Sequence, residues 1–141
     1  MRWLLVGVLL TAGCTSSVTP LRGELFILQS IAGIPLPAPY AENPNLNLRI
    51  VTDSLWLTSL TTGERHARVE VDAAGKTQLN VEEFDYVRTD NHIEISFRCP
   101  PAALCVRPPH MVGTLTLDSF VVDQSVVSRR PLVYRRMAIL E

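Results

Sequence analysis

Apolar and polar residues alternate with a period of two along most of the chain from residue 24 onward, and clusters of Gly, Pro, Asn, Asp and Ser interrupt the rhythm at short intervals. Successive side chains of a strand point to opposite faces, so this pattern predicts antiparallel strands. In residues 24–31, Phe26 and Leu28 share one face, and Leu25, Ile27 and Ile31 share the other. The next stretch, Ala32-Gly33-Ile34-Pro35-Leu36-Pro37-Ala38-Pro39, predicts a turn and a stiff cover over a barrel mouth, because proline has no donor for a ladder. Leu46, Leu48 and Ile50 then alternate with polar residues, Asp53-Ser54 predicts a break or bulge, and the strand resumes over 55–60. Further strands are expected over 65–72, with Val69 and Val71 inward, and over 77–88 and 93–97. Others follow over 111–117, where Leu115 and Leu117 alternate with threonines, and over 120–123 and 131–137, the last with Leu132, Tyr134 and Arg136 on one face. No useful helix-period stretch appears. The fold class is therefore all-β, an antiparallel up-and-down barrel or closed sandwich of about eight strands.

The first residues do not belong to that pattern. Met1-Arg2 supplies a positive start, Trp3 to Leu10 is almost unbroken apolar, and Thr11-Ala12-Gly13 are small. This is the layout of a signal peptide, and its apolar core is far shorter than the ~20 residues that span a bilayer as a helix. Leu10-Thr11-Ala12-Gly13-Cys14 resembles the lipobox of bacterial lipoproteins. That resemblance implies a diacylglyceryl group on Cys14, cleavage before it, and a protein exported to the cell envelope and held there by lipid. In the family it resembles, a residue other than Asp after the cysteine, here Thr15, implies onward transport to the outer membrane. The competing reading is an ordinary signal peptide with a coincidental cysteine. The expected organisation is thus 1–13 signal peptide, 14–22 lipidated Cys and polar tether, and 23–138 a single β-barrel domain. Two or three acyl chains, at ~0.8 kcal/mol per buried CH₂, anchor stably where one does not.

The chain has three cysteines, an odd number for an exported protein. If Cys14 carries lipid, Cys99 and Cys105 remain as a disulfide pair across Pro100-Pro101-Ala102-Ala103-Leu104. Closing so short a loop stabilises by roughly 2–2.5 kcal/mol on chain-entropy grounds. A metal pair is the rival, weakened because five intervening residues are not a usual zinc spacing.

Composition narrows the function. With 141 residues, 47% of them hydrophobic, there is room for one domain. Thirteen basic against 14 acidic residues give a net charge of −1, so no nucleic-acid partner is expected. The opening Phe26-Ile27-Leu28-Gln29-Ser30-Ile31-Ala32-Gly33-Ile34-Pro35-Leu36-Pro37 and the closing Leu132-Val133-Tyr134-Arg135-Arg136 resemble the ends of small lipocalin-like bacterial lipoproteins. The resemblance implies a small antiparallel barrel, and no functional residues are carried over from it.

An eight-strand barrel either fills its interior or holds one small ligand. Phe26, Trp56, Phe84, Tyr86, Phe97 and Tyr134, with Phe120, are the residues expected to line that interior, as core or as a ligand site. Glu82, Glu83 and Asp85 form an acidic cluster near Glu94, which as a carboxylate pair would suit glycoside hydrolysis and otherwise is a solvated strand face. His66, His92 and His110 lack metal-ligand spacing, so no metal or cofactor is expected. Arg129-Arg130 and Arg135-Arg136 could meet anionic phosphates, although 12 of the 13 basic residues are Arg throughout. The expected protein is a non-enzymatic, lipid-anchored envelope barrel. Its partners are the membrane and a small apolar ligand or, alternatively, an envelope protein bound as an interaction or inhibitor module.

Overall fold

The computed structural model describes residues 23–39, 48–71, 74–99, 101, 109–125 and 131–137, the last two of the 109–125 stretch by backbone alone. The strands are β1 (Glu24–Ile31), β2 (Ile34–Pro35), β3 (Ala38–Pro39), β4 (Arg49–Leu57) and β5 (Thr62–Glu70). They continue as β6 (Thr77–Thr89), β7 (His92–Phe97), β8 (His110–Leu115), β9 (Ser119–Ser125) and β10 (Leu132–Met137). Strands β4 to β10 pair in sequence order, and β1 pairs antiparallel with both β10 and β4, which closes the sheet. The result is an antiparallel up-and-down barrel of eight strands, with the two-residue β2 and β3 as additions.

Alternation decides which side chains fill the barrel, and β-bulges shift that alternation. Phe26 and Leu28 of β1 point inward as the spacing predicts. The register slips between Leu28 and Ser30, so Ile31 turns inward as well, contrary to the straight-strand expectation. In β4 the slip falls between Ile50 and Thr52, ahead of the expected Asp53-Ser54 break. The inward set therefore changes parity, from Ile50 to Asp53, Leu55 and Leu57. In β5, Gly63, Arg65, Ala67 and Val69 are buried, whereas Val71 lies beyond the strand and is exposed. Phe84 and Tyr86 of β6, Ile93, Ile95 and Phe97 of β7, Met111 and Leu115 of β8, Phe120 and Val122 of β9, and Leu132 and Tyr134 of β10 complete the core.

The two ends of the barrel differ. At one end β2 pairs with the end of β1 and β3 with the start of β4. Their connection lays Leu36 and the fully buried Ala38 on the core, so the proline-rich segment caps this end. Its turn holds Ala32 at φ 53° and Gly33 at φ 79°, the positive pair that a two-residue hairpin turn matching strand twist requires. The other end, hereafter the rim, carries the start of β1, the end of β10 and the turns 58–61, 90–91 and 116–118. Leu60 and Leu117, expected as strand positions, lie in two of these turns.

Candidate functional site

Inside the barrel a polar cluster crosses the core. Arg65 shares the inward face of β5 with Val69, and Asp53 faces inward past the β4 bulge. Both are almost wholly buried, 2% and 1% exposed. Arg65 donates from Nε to both carboxylate oxygens of Asp53 at 3.1 Å and from Nη2 to Oδ2 at 2.7 Å. Its Nη1 reaches Glu82 Oε2 at 3.1 Å, and the Tyr134 hydroxyl donates to Asp53 Oδ2 at 3.1 Å. The guanidinium also lies 5.7 Å from the centre of the Phe97 ring. A buried charge is tolerated when it is paired and its remaining donors are used, and this arrangement meets that condition. The cluster is an internal brace that ties β4, β5, β6 and β10 together through one guanidinium and one carboxylate. Sequence reasoning missed it. The signal was Arg65 two and four residues from apolar inward positions, and Asp53 was read only as a break.

The residues expected to line the interior are mostly there. Phe26, Phe84, Tyr86, Phe97, Phe120 and Tyr134 all point inward. They pack on each other: Phe84–Phe97 at 5.7 Å, Phe26–Phe120 at 6.0 Å, Phe120–Tyr134 at 6.1 Å and Phe84–Tyr86 at 6.4 Å between ring centres. Trp56 is the correction. It is 48% exposed on the outer wall, because the β4 bulge assigns the inward places to Leu55 and Leu57.

The acidic strand also divides by face. Glu82 faces Arg65, while Glu83 and Asp85 stand on the outer wall beside Arg98. Arg98 donates from Nε and Nη2 to the two oxygens of Asp85 at 3.0 and 2.6 Å, and from Nη1 to Glu83 at 3.0 Å. Those hydrogen bonds hold the Asp85 carboxyl below its ordinary value, the reverse of the raised value a proton-donating acid needs. Both carboxylates are more than half exposed on that wall, 63% for Glu83 and 55% for Asp85. Of the histidines, His66 contacts Glu64 at 3.1 Å, and His92 and His110 are exposed at strand starts. No group of three potential metal ligands converges among the described residues.

At the rim, an open cleft of about 550 Å³ lies between turn 58–61 and the end of β6. Leu57, Leu60, Tyr86 and Val87 give it apolar walls; Glu24 and Arg88 supply charge. Tyr86 builds it: its hydroxyl donates to the Ser59 carbonyl at 2.6 Å, and its N–H to the Thr61 carbonyl at 2.7 Å. Burial, then the charge of Glu24, pushes the Tyr86 phenol above its ordinary value, so it stays a neutral donor. Glu24 is held between Arg88 at 3.2 Å and Arg136 at 2.6 Å. Arg136 lies 5.6 Å from the Phe26 ring centre and lids the aromatic core, and its buried Nε has no hydrogen-bond partner among the described residues. Such a cleft suits a small amphipathic group or a partner's side chain.

Residues 1–13, read as a signal peptide, together with Cys14, Cys105, Arg129 and Arg130 lie outside the described residues. Cys99 is described and lies two residues beyond β7. Comparison with known protein families, with characterised proteins and with solved structures finds no match to this chain.

Proposed function

We propose that this chain is a lipid-anchored cell-envelope protein that acts by binding, with the barrel as a filled scaffold and the contacts made at its rim and outer wall. The observation that carries this reading is the occupied interior. The aromatic residues on which an interior ligand would depend pack against one another, and the Asp53–Arg65–Tyr134 brace crosses the space between them. A side-chain-filled barrel has its recognition chemistry on the outside. The lipid anchor rests on the Leu10-Thr11-Ala12-Gly13-Cys14 resemblance, and the Cys99–Cys105 bridge on cysteine count and spacing.

The rim cleft favours a second reading, in which a small apolar ligand is bound there. Fractionation and mass spectrometry of the exported chain test both. Cys14→Ser is expected to release the protein from membranes, and a variant that stays fully membrane-bound refutes the anchor. Native spectra of the released form are expected to show no retained adduct and a mass two daltons below the reduced value. A reproducible adduct that Val87→Glu abolishes would turn the reading to small-ligand binding.

A further inference from the structure

Two turns of the rim are built alike. In turn 58–61 the Ser59 hydroxyl meets Thr62 Oγ1 at 2.7 Å and accepts from the Thr62 N–H at 2.9 Å and the Thr61 N–H at 3.2 Å. The Thr58 and Ser59 N–H groups both donate to the Thr62 carbonyl, and Tyr86 fastens the Ser59 carbonyl from β6. In turn 116–118 the Thr116 hydroxyl meets Ser119 Oγ at 2.7 Å and accepts from the Ser119 N–H at 3.1 Å. Arg136 fastens this turn from β10, with Nη1 donating to the Leu117 carbonyl at 3.2 Å and its N–H to the Asp118 carbonyl at 2.8 Å. Each locked turn carries one leucine into solvent: Leu60 is 74% exposed and Leu117 is 91% exposed. These are the two most exposed large apolar side chains described, and the strand order puts their turns on opposite sides of the rim. Val87 and Met137 add exposed apolar surface at the same end.

The position of the N-terminus says what this surface meets. β1 begins at the rim, and the nine residues 14–22 that precede Gly23 can reach at most about 32 Å, or about 17 Å as a flexible coil. The coil length is shorter than the roughly 26 Å of the eight-residue β1, so a lipid on Cys14 holds the rim nearer the bilayer than the capped end. We propose that the rim rests on the membrane, with Leu60 and Leu117 inserted at the level of the headgroups and upper acyl chains. The inference rests on the lipid-anchor reading. Glu24 pairs with Arg88 and Arg136, and Asp90 and Asp118 of the rim turns offset the second arginine, so the charges of these rim residues nearly balance. The contact is apolar and should depend only weakly on salt.

The test uses the full chain, exported with its own leader, purified, and reconstituted in phosphatidylcholine–phosphatidylglycerol vesicles whose acyl chains carry bromine, a quencher of indole fluorescence. Leu60→Trp and Leu117→Trp are each compared with the parent, so that Trp56 cancels, and Leu79→Trp, towards the capped end, is the control. The expected result is a blue shift and a loss of indole emission for both rim variants and neither for the control. If Cys14 carries its lipid by intact mass and the rim indoles are not quenched, the proposal is overturned while the anchor stands. If Cys14 is unmodified, the anchor fails and the rim is judged by flotation with plain vesicles. A loss of about tenfold per leucine in Leu60→Ser/Leu117→Ser then supports the proposal. No flotation, or flotation indifferent to that pair, overturns it.

Discussion

The barrel contains the same arginine arrangement twice, once inside its wall and once outside. Arg65 grips Asp53 through Nε and Nη2 and touches Glu82 through Nη1. Arg98 grips Asp85 through Nε and Nη2 and touches Glu83 through Nη1. The two glutamates are consecutive residues of β6 that point to opposite faces, and the distances in the two sets nearly coincide. What differs is the surroundings. Arg65 and Asp53 are shut among aromatic rings, Asp53 also accepts from Tyr134, and of this set only Glu82 reaches water. The outer set is bathed in water. Geometry alone therefore does not give the worth of an ion pair. The cost of leaving a partner behind does, and that cost is set by whether water can take the missing place.

Removing one inner partner should break the comparison most widely. Arg65→Met leaves Asp53 buried and is expected to destabilise the fold by about 3–5 kcal/mol in urea unfolding. Asp53→Leu with Arg65→Met removes both charges and should recover much of that loss; a double variant no better than the single would show that the brace itself, and not the stranded charge, matters. Tyr134→Phe deletes one hydrogen bond to a buried carboxylate, with an expected cost of about 1.5–3 kcal/mol. The smallest effect belongs outside. Arg98→Ala should leave thermal stability close to wild type, with the difference shrinking as salt is added. Its pH signature sharpens the contrast. The Asp85 carboxyl is lowered in the folded state, so its small contribution is present above the ordinary carboxylate value of about 4 and is lost as pH falls through the lowered one. Thermal melts of wild type and Asp85→Asn should therefore converge at acid pH; a gap that widens there would contradict the pairing.

The strand count and the antiparallel barrel were legible because a period of two survives wherever one face is buried and the other wet. Parity was legible only up to the first bulge. One extra residue near Thr52 sends Trp56 out and brings Asp53 in, and no local residue preference marks where that slip falls. Arg65 could be placed inward from its spacing to Val69, but its partner could not be named before the β4 register was known. Leu60 and Leu117 were misplaced for a related reason. The alternation runs through them, and what ends β4 and β8 early is hydroxyl hydrogen bonding by Ser59 and Thr116, which competes with the ladder at short range. The rim cleft was illegible because Glu24, Tyr86 and Arg136 meet only when the first and last strands do.

That meeting also governs how the barrel can form. The first strand lies between β10 and β4, so its outer seam is supplied by the final residues of the domain. Every other wall contact joins neighbours in sequence and can zip up as a meander, but the seam must close a loop that contains nearly the whole domain. Such closure makes folding slow, since its entropic cost comes before its contacts. Until it happens β1 and β10 each show a bare edge to other chains. A chain that stops short of Leu132 leaves β1 and β9 as edges with no strand to cover them, so the last six residues of the wall decide whether this molecule is a closed barrel or an aggregating sheet.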